Sequence, residues 1–110
     1  MEIRLLESAE KELNEAGTSY HSEQAGLGAD FIVEFVNSLE RIKAYPQAWH
    51  PFSENTRRYQ LRRFPYGIIS QILENEVFVV AISHLHREPG YWQTEINIVV
   101  QNTQDHPAVL

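Results

Sequence analysis

With 110 residues, 43% of them hydrophobic and 22% charged, the chain has the size and composition of one globular domain and excludes a disordered or low-complexity protein. It contains no cysteine, which removes disulfides, thiolate metal sites and cysteine nucleophiles and suits a cytoplasmic setting. The net charge of −6 counts against a nucleic-acid partner on average, and the longest apolar run, Val77 to Ile82, is far short of the roughly 20 residues of a membrane span.

The first apolar residues, Ile3, Leu5 and Leu6, read as a short strand, and the acidic residues around them leave no apolar core for a signal peptide. Ala9, Leu13, Ala16 and Tyr20 then recur at helical spacing, with Ser8 as the expected N-cap and Glu10 and Glu12 in the first turn. Gly17 weakens this helix, and Gly26 and Gly28 mark a short connection over residues 21–28 to an antiparallel neighbour. Leu27, Phe31, Phe35, Leu39 and Ile42 form a stronger second stripe, widened by Ile32 and Val36 and ended near Tyr45 by Pro46.

Residues 46–56 carry two prolines and read as a loop pinned by Trp49 or Phe52. Alternation over Arg57 to Phe64 predicts a strand, Pro65-Tyr66-Gly67 opens a second one through Ile68 to Leu73, and Glu74-Asn75-Glu76 is a hairpin turn into Val77–Ile82. This last run lacks a polar face, so it is expected at the centre of the sheet. Ile96, Ile98, Val99 and Val100 suggest one more strand, with a frayed polar end from Gln101. The order strand-helix-helix-strand-strand-strand means an α+β domain, a helical hairpin on one face of a mostly antiparallel sheet.

Charge is unevenly spread along this order. Residues 1–56 hold four basic and ten acidic side chains, whereas residues 57–92 hold five arginines against three glutamates, so a basic face on an acidic body is expected. Chemistry concentrates after the central strand, in Ser83-His84-Leu85-His86-Arg87-Glu88-Pro89-Gly90-Tyr91-Trp92. Together with Arg57, Arg58, Arg62 and Arg63 this segment offers guanidinium forks for phosphate oxygens, imidazoles for proton transfer and aromatic planes for stacking on a base. The same residues also read more plainly: arginines paired with the acidic helices, His84 at the edge of the core, Tyr91 and Trp92 as packing. His84 and His86 lack a third metal ligand at suitable spacing, so neither metal nor cofactor is expected.

Taken in order, these residues resemble the RelE/ParE toxins of bacterial type II toxin–antitoxin systems, often labelled plasmid stabilisation proteins. The likeness runs from Ala9 to Trp92. It is carried by Ala9-Glu10-Lys11-Glu12-Leu13 with Tyr20, Gly26-Leu27-Gly28 with Phe31 and Phe35, and Ile42 with Tyr45-Pro46 and Trp49. The later carriers are Arg57-Arg58-Tyr59, Leu61-Arg62-Arg63-Phe64-Pro65-Tyr66, Ile68-Ile69 and residues 84–92. The resemblance implies a small sheet crossed by two helices and a cognate antitoxin as partner. It also implies one of two targets: messenger RNA cut on the ribosome without metal, or DNA gyrase poisoned by a mechanism not shown to be nucleolytic.

Carried over, Arg87 matches the arginine that the nucleases use on the phosphate, and Arg62 falls near a basic position of the second strand. Gly67 stands where many relatives carry arginine, and Gln60 where ribosome-dependent nucleases tend to have lysine, which brings the chain nearer the ParE branch. The expected site is therefore Arg87, His86, Arg62 and His84 for catalysis, with Arg57, Arg58, Arg63, Tyr91 and Trp92 for target contact. Residues 1–92 form the expected toxin domain and residues 93–110 a C-terminal extension. Two further readings stay open: an antitoxin-binding module that has lost toxicity, and a nuclease for free RNA working through His84, His86 and Arg87.

Overall fold

The computed structural model describes residues 2–53, 55–85 and 108–109. Strand β1 (Glu2–Leu5) leads into helix α1 (Glu7–Glu23) and helix α2 (Leu27–Ala44). Strands β2 (His50–Ser53), β3 (Thr56–Gln60), β4 (Tyr66–Leu73), β5 (Glu76–His84) and β6 (Ala108–Val109) follow. They form one sheet in the order β2-β3-β4-β5-β1-β6, in which β1 runs parallel to β5 and every other pairing is antiparallel. The α+β class, the helical hairpin and the central place of Val77–Ile82 agree with the sequence reading.

Helix α1 begins one residue before the expected cap. Leu6 is the N-cap, its carbonyl accepting the Glu10 N–H at 2.9 Å, while Ser8 lies inside the first turn with a buried, unpartnered hydroxyl. Gly17 does not weaken the helix to the point of ending it, because α2 crosses there: a Cβ on Gly28 would stand 2.5 Å from the Gly17 carbonyl oxygen. The connection is short, with Gly26 in the left-handed region at φ 86°.

From α2, Phe31, Phe35, Leu39 and Ile42 enter the core, as their spacing predicts. Val36 does not widen that face; it points to solvent, 48% exposed. The core lies between the helices and the sheet and is completed by Ile3, Leu5, Ala9, Ile68, Val77, Val79 and Ile82. On β1, Arg4 bonds Glu76 of the neighbouring strand at 2.8 Å.

Three elements depart from the sequence reading: Ala108–Val109, expected in the frayed end, pair with β1 as β6, and two more lie between α2 and β4. Residues 50–53 form edge strand β2 rather than loop, and Pro51 is tolerated there because an edge position does not require its N–H. Strand β3 stops at Gln60, four residues earlier than the alternation suggests. Leu61 and Phe64 are both buried, and the chain turns between them, with Leu61 N–H donating to the Tyr66 carbonyl and Tyr66 N–H to that of Phe64. The strand expected over residues 96–100 lies outside the described residues.

Candidate functional site

Register decides which side chains share a surface. Gln60 pairs with Gly67, Tyr59 with Ile68, Arg58 with Ile69, and across the next ladder Tyr66 pairs with His84 and Gly67 with Ser83. Because side chains alternate along a strand, Tyr59, Arg57, Tyr66 and His84 lie on the helix side. Arg58, Gln60, Gly67 and Ser83 lie on the opposite face. Ring contacts agree with this division, since Tyr66 packs against Phe31 of α2 at 5.4 Å and Tyr20 of α1 at 6.2 Å.

The four arginines at 57, 58, 62 and 63 are consequently not on one wall. Arg57, on the helix side, donates to the Trp49 carbonyl oxygen at 2.9 Å and ties the segment before β2 to β3. Trp49 in turn meets the Tyr59 ring edge-on at 4.8 Å, the pinning that the sequence suggested, and Tyr59 accepts a hydrogen bond from Arg41. Arg62 and Arg63 stand on the turn after β3. Both of their backbone N–H groups point at the Glu34 carboxylate of α2, and the Arg63 guanidinium lies 3.6 Å from Asp30.

Arg58 has a different setting. Its guanidinium stacks over the Phe52 ring of β2, 4.6 Å from the centroid, and its stem crosses Gly67 of β4. Among the described residues, Arg58 and Arg62 are the arginines whose guanidinium groups meet no acceptor. Arg58 is therefore a half-buried, stacked cation with no acceptor among the described residues, on the face away from the helices, beside the buried Ile69, Ala81 and Ser83; such a cation suits an anionic group.

His84 sits in unlike company. It meets the Tyr66 ring edge-on at 5.2 Å. Tyr66 has its pKa raised first by burial and then by Glu12 and Glu23, and Tyr20 by burial, Tyr66 and Glu23. Glu12 accepts the Ile82 N–H at 3.1 Å, so its carboxylate is held close to β5. Carboxylates around two phenols make this corner unattractive to a phosphodiester, and the strand pleat separates it from Arg58. His86, Arg87, Tyr91 and Trp92, the remaining expected site residues, lie outside the described residues.

Sequence reasoning missed Glu34, the stacking of Arg58 on Phe52, and the contact that Gly67 makes. Only Gly67 left a signal, as a glycine between Tyr66 and Ile68 within a strand-forming run, which marks a close approach.

The model for the family described as the ParE toxin of type II toxin–antitoxin system, parDE, matches residues 3–89. The chain belongs to the ParE toxin family. ParE membership makes it, at the family level, the toxin member of a toxin–antitoxin pair with a cognate antitoxin as partner. Among solved structures, a chain from the chromosomal ParDE toxin–antitoxin system of P. aeruginosa has the same fold, with a TM-score of 0.68 and 17% identity over 76% of this chain and 95% of that one. The search of curated proteins returned no significant match. No helix among the described residues is long and apolar enough to cross a membrane.

Proposed function

We propose that this ParE-family chain arrests growth in the cytoplasm by binding and poisoning DNA gyrase, and that its cognate antitoxin neutralises it. The family match over residues 3–89 carries the reading. Gly67 and Gln60, standing where the family resemblance places cations in ribosome-dependent nucleases, favour gyrase over messenger RNA. Cleavage of RNA needs a proton-transfer group beside the cation that holds the phosphate, and among the described residues the His84 imidazole lies on the other face of the sheet from the Arg58 guanidinium. We assign the toxin unit to residues 1–92, with 93–110 as an extension. Target contact falls to Arg58; Arg87, which the resemblance matches to the nucleases' phosphate arginine, is the residue whose loss separates the two targets.

The test is tightly controlled induction of the wild type beside Arg58→Ala and Arg87→Ala at matched expression, followed by supercoiling assays with purified gyrase and RNA-end mapping on translating ribosomes. Arrest with trapped or inhibited gyrase and unchanged RNA ends is the expected result. New cuts in the ribosomal A site would replace gyrase with RNA. A folded wild type that binds antitoxin without slowing growth would leave a binding module that has lost toxicity.

A further inference from the structure

Gly67 reads in the sequence as a cation lost from the sheet. Its surroundings give it another role. A Cβ built on Gly67 would stand 2.9 Å from Arg58 Cδ and 3.0 Å from Cγ, closer than side-chain carbons approach one another. The bare backbone of β4 is thus the floor on which the Arg58 stem lies, one strand away from its own Cα, with Gln60 directly opposite Gly67. The stem's far end is fixed from the other side, where Phe52 of β2 supports the guanidinium at 4.6 Å. Three adjacent strands cooperate to hold one cation, and no described acceptor neutralises it.

We infer that Gly67 is a positioning residue for Arg58: the missing side chain lets the Arg58 guanidinium lie across the helix-free face and meet the target there. The inference rests on the reading that this face contacts the target. The atoms that a new Cβ would strike belong to a movable side chain, so Gly67→Ala is accommodated by swinging Arg58 off Phe52 while the fold remains. Moving an arginine that anchors an interface out of contact weakens binding by about tenfold or more.

Three variants test this, Gly67→Ala, Arg58→Ala and the double variant, with two readouts. The first is the inducer level that halves growth; the second is the NMR shift of the Arg58 Nε–H proton, next to the Cζ that lies over the Phe52 ring and therefore expected upfield in the wild type. Expected are a rise of about tenfold or more in the inducer level for each single variant, no further rise in the double variant, and loss of the upfield shift in Gly67→Ala with its amide spectrum otherwise native. Wild-type potency in Gly67→Ala while Arg58→Ala is impaired would overturn the positioning role, as would full additivity. Should the wild type itself not arrest growth, the toxic reading fails separately and the chemical shift alone decides. An Arg58 signal unmoved by Gly67→Ala then refutes the inference.

Discussion

Replacing Glu34 with alanine isolates the tie between α2 and the arginine turn. The carboxylate accepts the N–H groups of Arg62 and Arg63, the latter at 3.3 Å to each oxygen, across 28 and 29 residues of chain. A hydrogen bond to a charged group contributes about 1.5–3 kcal/mol when shielded, but these face solvent, so the pair together is expected to stabilise by about 1–2 kcal/mol. Alanine favours a helix more than glutamate does, by a few tenths of a kcal/mol. The intrinsic effect therefore opposes the loss, and the net cost should be about 1–1.5 kcal/mol.

Urea unfolding should show a lower midpoint with an unchanged slope. Native-state hydrogen exchange should quicken at the Arg62 and Arg63 amides while core amides of β5 change only by the global amount. Glu34→Gln, which keeps one acceptor oxygen, should fall between the wild type and Glu34→Ala. Exposed Glu40 on the same helix supplies the control, expected within about 0.5 kcal/mol of wild type as Glu40→Ala. If Glu34→Ala is as mild as this control, or if the two amides already exchange freely in the wild type, the clamp does not hold the turn.

Three other perturbations probe separate parts of the fold. Gly28→Ala drives a methyl against the Gly17 carbonyl, a backbone atom that cannot swing aside, and should cost about 1–3 kcal/mol by differential scanning calorimetry, unlike the mild Gly67→Ala. Glu74 and Asn75 both adopt positive φ, 51° and 64°, in a two-residue hairpin turn, so Glu74→Asn combined with Asn75→Gly should raise stability by about 1 kcal/mol in denaturant titration. The raised pKa values of Tyr20 and Tyr66 mean that the folded chain keeps phenolic protons that the unfolded chain gives up. Their contribution is fully present below pH 10.0, the unfolded value, and is lost as pH climbs through the higher folded values; phenolate absorbance should lag in the native protein, and Tyr66→Phe should flatten the alkaline fall in stability.

Local periodicity carries much of this molecule. The stripe Phe31, Phe35, Leu39 and Ile42 can bury only as one helix face, and the wholly apolar run from Val77 to Ile82 can satisfy itself only between two strands, so class, order and the central strand were legible before any coordinates. The end of β3 was not. Alternation continued through Arg63, and only the burial of Leu61 and Phe64 in one turn, beside a carboxylate 28 residues away, ended the strand. The candidate site divides in the same way. Sequence marked the arginines as chemically able to meet an anion, since a guanidinium carries that capacity anywhere. Which face each one occupies, and whether it is already engaged, depends on strand register and on partners outside its own strand, such as Trp49, Asp30 and Phe52. Gly67 joins the two levels: its lack of a side chain is written in the sequence, but the value of that lack exists only once Arg58 of the neighbouring strand lies across it.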